Sequence, residues 1–195
     1  STTVNPDGSY SVDVPAAVAD GGYSVSVSVT DKAGNTATAN GQGSIDSKVT
    51  ITVVAPDLTN DNIPTITGTT DAEAGQVVTV EITDAAGNVQ TVSTTVNPDG
   101  TYSVDAVTPL ADGDYTAKAT VSDVAGNTAE ATDPGTVDTT APTITVDAPD
   151  NTNDTTPTIT GTTDAPAGSV VTVVVTDKDG NPQTISTTVN PDGSY

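Results

Sequence analysis

The sequence predicts an all-β protein built from tandem sandwich domains, and two observations support this prediction. Val, Ile and Thr recur in short alternating runs bounded by Gly, Pro, Asn and Asp, which is typical of many short strands joined by turns. The segment STTVNPDG begins at Ser1, Ser93 and Ser186, so the repeat period is 92 and then 93 residues. Because a period of that length is the size of a domain with its own core, each repeat is predicted to be a domain, not a solenoid unit.

Seven strands and no helix are predicted in the middle repeat, and each strand is bounded by turn residues. The predicted strands cover residues 49–55, 64–70, 76–83, 89–96, 101–106, 114–122 and 128–137. Seven strands with turns about every 8 to 12 residues fit an immunoglobulin-like Greek-key sandwich. The chain is therefore interpreted as the C-terminal part of one domain (1–46), a complete domain (47–138) and the N-terminal part of the next (139–195).

Two loop motifs are predicted to be tight turns. In NPDG at 97–100, proline fixes φ at the second position of a type I turn, and glycine is free to take positive φ. The DxxGN loops at 84–88 and 123–127, with copies at 31–35 and 177–181, are predicted to be hairpin turns with glycine in the left-handed region. For any single loop of these kinds, turn chemistry is favoured over metal binding, because Asp and Asn bond local backbone N–H groups.

A tyrosine is predicted to anchor the sixth strand. Tyr115 follows Leu110 and the segment 111–114 at the start of that strand, which is the place of the tyrosine corner in sandwich folds. There the ring packs inside the domain and the hydroxyl bonds upstream backbone. Tyr23 holds the same place in residues 1–46, so the same anchor is expected in both repeats.

Charge and composition exclude several functions. The chain has 26 acidic residues and only four basic ones, for a net charge of −22, which excludes nucleic acid and anionic lipid as partners. It has no Cys and no His, which excludes disulfides, thiolate or imidazole catalysis and soft metal sites. No apolar run approaches the length of a membrane span. An enzyme is not expected, because each acidic cluster recurs between copies and no nucleophile has a base partner.

Three segments carry a resemblance to a known family. They are LADGDYTAKATVSDVAGNTAE at 110–130, the linker VDTTAPTITV at 137–146 and TITGTTDAPAG at 158–168. With them the chain resembles the bacterial immunoglobulin-like extender repeats of giant RTX-type, biofilm-associated adhesins. This resemblance implies an extracellular stalk at the bacterial cell surface, export by type I secretion, neighbouring repeats as partners, and stiffening by calcium between domains.

The calcium implied by the resemblance is expected at the interdomain linkers. In this topology the top loops of one domain face the bottom loops of the preceding one, so carboxylates from both sides repel unless a cation lies among them. Oxygen ligands without imidazole or thiolate favour Ca²⁺ over transition metals. At the second junction the expected ligands are Asp57, Asp61, Asp84, Asp112, Asp114, Asp138 and Asp164. At the first junction they are Asp20, Asp46, Asp71, Glu73, Asp99 and Asp123.

The first junction is expected to bind fewer ions than the second. Its linker carries Lys48, whose ammonium group can replace a cation. Val54 and Gly22 occupy the positions that Asp147 and Asp114 hold at the second junction. All three differences lower the acidity of the first junction.

One alternative function stays open, a glycan-binding or homophilic adhesion module. Such a module needs exposed aromatic side chains or a variable loop in one copy, whereas the chain has no Trp and no Phe. Asp177, Asp179 and Gly180 are similar to the start of an EF-hand loop. An EF-hand is nevertheless not expected, because Thr188 stands where that loop has its bidentate Glu.

Overall fold

The computed structural model describes all 195 residues, which form strands, turns and irregular segments without any helix. It divides into two compact units, Ser1–Asp138 and Thr139–Tyr195. None of its segments forms a helix of the length and hydropathy that crossing a membrane requires. The strands are β1 (Gly21–Thr30), β2 (Thr36–Ile45), β3 (Thr65–Thr69), β4 (Val77–Thr83), β5 (Val89–Thr95), β6 (Thr101–Asp105), β7 (Gly113–Ser122), β8 (Thr128–Val137), β9 (Val170–Thr176) and β10 (Pro182–Thr188).

Strands β3 to β8 form a sandwich of two antiparallel sheets around one core. One sheet has the strand order β5-β4-β7-β8, and the other pairs β3 with β6. In the larger sheet Val78 lies opposite Val121 and Ile82 opposite Ala117, and all four side chains are buried. Every second residue along β4 and β7 faces the core, as the alternation of apolar and polar residues predicts. The second to seventh predicted strands form within one residue of their predicted ends.

The first predicted strand, residues 49–55, is wrong as a continuous strand. Only two isolated antiparallel bridges connect it to the strand that follows, Ile51 to Thr70 and Val54 to Thr67. These bridges attach the segment to the edge of the smaller sheet, beside β3.

The interruption is a tyrosine hydroxyl that takes the place of a ladder hydrogen bond. Tyr102 Oη–H donates to the Thr52 carbonyl oxygen at 2.5 Å. The backbone N–H of Thr69 therefore donates to the Thr52 hydroxyl instead, at 2.9 Å. Gly68 makes the close approach possible, because a Cβ atom there would collide with the Thr52 carbonyl and the Tyr102 ring.

A second tyrosine fixes the same edge segment to the larger sheet. Tyr115 is buried at the start of β7, and its hydroxyl donates to the Pro56 carbonyl oxygen at 3.1 Å. The acceptor does lie upstream, as predicted, but 59 residues away and not a few residues away as in a tyrosine corner. The hydroxyl therefore links two distant segments of the domain.

The predicted turns form with their own carboxylates as acceptors. In 84–88, Gly87 takes φ +81° and donates its N–H to the Asp84 carbonyl at 2.9 Å. The Asp84 carboxylate accepts the backbone and side-chain N–H groups of Asn88 at 2.8 and 3.0 Å. In NPDG, Gly100 takes φ +80° and bonds the Asn97 carbonyl, which confirms the predicted tight turn.

Residues 1–46 contain a single hairpin. Strands β1 and β2 pair over their full length, from Gly21 opposite Ile45 to Thr30 opposite Thr36. Residues 1–20 form no strand. Both strands are exposed over most of their length, so the hairpin has no core of its own.

The unit Thr139–Tyr195 pairs β9 with β10 and forms three further bridges, which include Ile144 to Thr163 and Asp147 to Thr160. These bridges repeat the pairing of the first predicted strand in residues 47–138. Tyr195 also repeats the role of Tyr102, because its hydroxyl donates to the Thr145 carbonyl oxygen at 2.5 Å. The division into domains at 1–46, 47–138 and 139–195 stays a prediction.

Candidate interdomain junctions

The linker of the first junction is hydrogen-bonded to the domain that follows it. The side-chain amide of Asn127 donates to the Asp46 carbonyl oxygen at 3.1 Å and to Asp123 Oδ2 at 2.7 Å. On the other side, the Ser47 hydroxyl donates to Asp20 Oδ1 at 2.7 Å. Residues 46 and 47 of this linker are thus attached to the loop at 123–127 and to the segment that precedes β1.

Two further acidic residues predicted for this junction hold neighbouring backbone. Thr50 N–H donates to Asp71 Oδ1 at 2.7 Å, and Val124 N–H donates to Glu73 Oε2 at 3.1 Å. The hydrogen bond from Thr50 holds the pKa of Asp71 below its ordinary value, while the negative charge of Asp123 acts in the opposite direction. Asp71 and Asp123 therefore repel each other beside the linker.

The carboxylate of Asp123 is buried, although it carries a negative charge. The side-chain amide of Asn127 is the main cause that lowers the pKa of Asp123, and the backbone N–H of Asn127 adds to it. Asp99 stays within its own turn and accepts the hydroxyl of Thr101 at 2.7 Å. Asp99 thus has the turn role that the NPDG motif predicts.

Most of the ligands predicted for the second junction come from the opposite end of residues 47–138. There Asp84 is buried, and hydrogen bonds from Asn88 lower its pKa. Its Oδ2 also accepts the N–H of Ala111 at 3.3 Å, which connects two neighbouring loops. Asp61 Oδ1 accepts the N–H of Ile63 at 2.8 Å.

Three acidic residues near the end of β8 have different surroundings. The Thr136 hydroxyl donates to Asp114 Oδ1 at 3.0 Å, and the backbone N–H of Asp138 donates to the Thr59 carbonyl at 2.9 Å. Burial raises the pKa of Tyr115 to about 12, and the negative charge of Asp57 adds to that shift. Asp57 thus lies close enough to the tyrosine to affect its ionisation.

Asp164 belongs to the other unit and repeats the role of Asp71. It accepts the backbone N–H of Thr143 at 2.8 Å and the Thr143 hydroxyl at 2.9 Å. The hydroxyl is the first cause that lowers the pKa of Asp164, and the backbone N–H is the second. Asp112 remains, with Asp138, a predicted ligand at the second linker.

The donor chemistry suits a hard cation, but no group of three or more acidic side chains is arranged to hold a metal ion. Several of the predicted ligands have oxygens that accept protein N–H or O–H groups, as Asp71, Asp84 and Asp123 show. A calcium ion in this arrangement would have to share those oxygens with the loops. The predicted ligand sets therefore stay a prediction.

Two side chains that hold distant segments were missed by the sequence interpretation, Asn127 at the first junction and Asp133 within the sandwich. Asn127 was assigned only to its turn, yet its amide also reaches the Asp46 carbonyl. Asp133 lies within β8, and its Oδ2 accepts the N–H of Ala55 at 2.8 Å. An aspartate inside a strand is unfavourable, and that was the one available signal that Asp133 has a specific partner.

These features define a class of protein, tandem immunoglobulin-like sandwich domains connected by short acidic linkers. The family described as "Bacterial Ig-like domain" matches residues 1–47 and 52–139. The chain therefore belongs to the bacterial Ig-like domain family, which confirms the predicted family and fold class. No curated protein matches the chain.

Three solved structures are similar to the chain. One is described as a tetra-tandem repeat in the extending region of a large adhesion protein; it is 36% identical over 100% of this chain and 52% of that chain, with a TM-score of 0.48. A 1.5-MDa bacterial ice-binding adhesin is 28% identical over 98% of this chain and 68% of that chain, with a TM-score of 0.45. A Ca²⁺-stabilised adhesin of an Antarctic bacterium is 31% identical over 100% of this chain and 52% of that chain, with a TM-score of 0.41. The chain thus spans about half the length of the first of these structures.

Proposed function

We propose that the chain forms extender repeats in the stalk of a bacterial cell-surface adhesin. In this role it is extracellular, reaches its place by type I secretion, and projects a distal adhesive domain away from the cell. Its partners are the neighbouring repeats, and it catalyses no reaction. The observation that carries the proposal is that the same sequence elements recur along the chain and make the same hydrogen bonds in residues 47–138 and 139–195.

The recurrence extends to single hydrogen bonds, which favours a role set by copy number. Tyr102 and Tyr195 donate to equivalent carbonyl oxygens, both at 2.5 Å. Asp71 and Asp164 accept equivalent backbone N–H groups at 2.7 and 2.8 Å. Features that recur in each repeat suit a spacer whose length grows with the number of repeats.

The arrangement of aromatic residues favours a stalk over a glycan-binding module. Tyr102 and Tyr115, the two tyrosines of the complete domain, are both buried. Recognition surfaces are usually rich in exposed aromatic side chains. The complete domain therefore offers no aromatic surface to a ligand.

We also propose that Ca²⁺ stiffens the linkers. The support is chemical: the linkers are flanked by carboxylates, and the charge of Asp123 already opposes the ionisation of Asp71. Extracellular calcium modules bind at about 10⁻⁴ to 10⁻³ M. With sites of that affinity, the repeats stay flexible in a calcium-poor cytoplasm and become stiff outside the cell. Asp138, Asp112, Asp114 and Asp164 are the ligands proposed for the second linker.

Small-angle X-ray scattering of the whole chain, with calcium and with a chelator, tests both parts of the proposal. We expect an elongated particle in calcium, and a smaller maximum dimension with broader distance distributions after chelation. The melting temperature should also rise on adding calcium, because a ligand that binds only the folded state stabilises it. An elongated particle whose dimensions do not change with calcium would be consistent with the stalk function but would refute the proposal that calcium stiffens the linkers. A compact particle in both conditions would refute the stalk.

A further inference from the structure

One pairing in the complete domain differs from all the others, because it is parallel. Every pair of strands in the molecule is antiparallel. The bridge between Thr59 and Val137 is parallel, and it joins the entry segment, residues 55–59, to the end of β8. The chain enters the sandwich through this segment and leaves it through β8, so the pairing connects the two ends of the domain directly.

Three backbone hydrogen bonds hold the entry segment to β8. The Thr136 N–H donates to the Pro56 carbonyl oxygen at 3.3 Å, and the Thr136 carbonyl accepts the N–H of Thr59 at 3.0 Å. The Thr59 carbonyl in turn accepts the N–H of Asp138 at 2.9 Å. These bonds follow one another along the two segments, as in a short parallel ladder.

The entry segment carries an extra residue between two of these bonds. A regular parallel ladder leaves a single residue between the two partners of Thr136, whereas here Asp57 and Leu58 separate Pro56 from Thr59. Leu58 takes φ +49°, in the left-handed region, and this bend accommodates the extra residue. Residue 151 holds the same place in the other repeat and takes φ +53°, so the bend recurs.

Two side chains add hydrogen bonds to the same connection. Asp133 Oδ2 accepts the N–H of Ala55 at 2.8 Å, at the start of the entry segment. The Tyr115 hydroxyl donates to the Pro56 carbonyl oxygen at 3.1 Å. Ala55 and Tyr115 are buried, and a hydrogen bond shielded from water is stronger than an exposed one.

Tension along the chain strains these bonds together. The force reaches the entry segment at its start, near Ala55, and leaves β8 at its end, near Asp138. Because the two segments run in the same direction, this force slides one along the other and strains every hydrogen bond between them at once. A force on neighbouring ends of the two segments would instead break the bonds one after another, which needs less force.

We propose that this pairing is a load-bearing clamp that keeps the domain folded under tension, and that Asp133 sets its strength. The biological role of the clamp rests on the proposed stalk function, because a stalk transmits force between a surface and the cell. Gly41 lies opposite Val25 as Asp133 lies opposite Ala117, so residues 1–46 lack this carboxylate. The copies therefore differ in the tension that they withstand, and a repeat with glycine at this place releases first.

Single-molecule force spectroscopy on the full chain tests the clamp, because forced unfolding reports the unfolding rate and not the equilibrium stability. The chain has no Cys, so two introduced cysteines define where the force is applied. Lys48→Cys with Ala141→Cys applies the force along the chain. Asn60→Cys with Ala141→Cys applies it to neighbouring ends of the entry segment and β8. The side chains at these positions are exposed.

Substitutions measured under both directions of force separate the clamp from general stability. Asp133→Ala removes the hydrogen bond to Ala55, and Asp133→Asn keeps an oxygen that can accept it. Val92→Ala is the control, because Val92 is buried in β5, at the opposite edge of the larger sheet from β8. Thermal melting of each variant gives its stability without force.

We expect the unfolding force to be at least about twofold higher along the chain than at the neighbouring ends. Under a fixed force along the chain, Asp133→Ala should unfold about tenfold faster than the unsubstituted protein, whereas Asp133→Asn should unfold at nearly the original rate. Val92→Ala should lower the melting temperature but change this rate less than Asp133→Ala does.

Equal unfolding forces in the two directions would overturn the clamp. An Asp133→Ala variant that unfolds no faster than Val92→Ala would overturn the role of Asp133. Scattering tests the stalk separately, so a failure of the clamp is distinguishable from a failure of the stalk function.

Discussion

At the scale of single residues, the domain depends on a contact between a tyrosine and a glycine. Tyr102 lies over Gly68 and bonds the Thr52 carbonyl, so three segments meet at one point. Tyr195 and Gly161 make the same contact in the other unit. In a core of small aliphatic residues, a buried tyrosine supplies both a large apolar area and a hydrogen bond that ties the edge segment down.

We expect Gly68→Ala to destabilise the complete domain by about 2–3 kcal/mol, because the added methyl group forces the Tyr102 ring or the Thr52 backbone to move. Chemical denaturation followed by tyrosine fluorescence measures the loss. Gly41→Ala is the matched control, since Gly41 lies in β2 with no atom near the added methyl group. Equal stability of Gly68→Ala and the unsubstituted chain would contradict the proposed role of the contact.

At the scale of elements, the DxxGN loops are hairpin turns, and the loop at 123–127 also forms a hydrogen bond to the first linker. The loops at 84–88 and 123–127 have the same internal bonds between Asp and Asn. The second loop makes one more bond, from Asn127 to the Asp46 carbonyl. A hairpin turn of the domain thereby becomes an attachment point for the preceding linker.

We expect Asn127→Ala and Asn88→Ala to lower the melting temperature of the domain by several degrees at neutral pH, since each removes donors from a buried carboxylate. Both amides lower the pKa of their carboxylate below its ordinary value of 3.8. The stabilisation is thus present above pH 3.8 and is lost as the pH falls through the lowered folded value. The decrease in melting temperature that each substitution causes should therefore be smaller at acid pH.

The two variants should differ at the linker. Hydrogen exchange and limited proteolysis at residues 46–50 should become faster in Asn127→Ala, because the bond to Asp46 is lost. Asn88→Ala should leave these rates unchanged. Equal rates in both variants would mean that the Asn127 bond does not hold the linker.

At the scale of the whole molecule, the sequence predicted the strands of the sandwich correctly but did not predict the interrupted pairing at its edge. Strands whose side chains alternate between core and solvent, such as β4 and β7, were predicted because the pattern is local. The interruption at Thr52 was not predicted, because it depends on Tyr102, which lies 50 residues away in sequence. The same limit applies to the junctions, where Asn127 bonds a residue 81 positions away.

The difference between the two junctions leads to a last prediction about the whole chain. Asp46 and Asp138 occupy equivalent linker positions, but Lys48 follows Asp46, and Gly22 replaces the counterpart of Asp114. A positive side chain reduces the repulsion that would otherwise favour a bound cation.

Calcium titration of the full chain by calorimetry should therefore give a larger loss of bound ions for Asp138→Asn than for Asp46→Asn. Each substitution removes one charge and keeps the shape of the side chain, so the two variants control for each other. Lys48→Thr should raise the number of ions bound at the first junction, because it removes the competing ammonium group. Equal losses in the two aspartate variants, together with no gain in Lys48→Thr, would show that the charge difference between the linkers does not set their calcium occupancy.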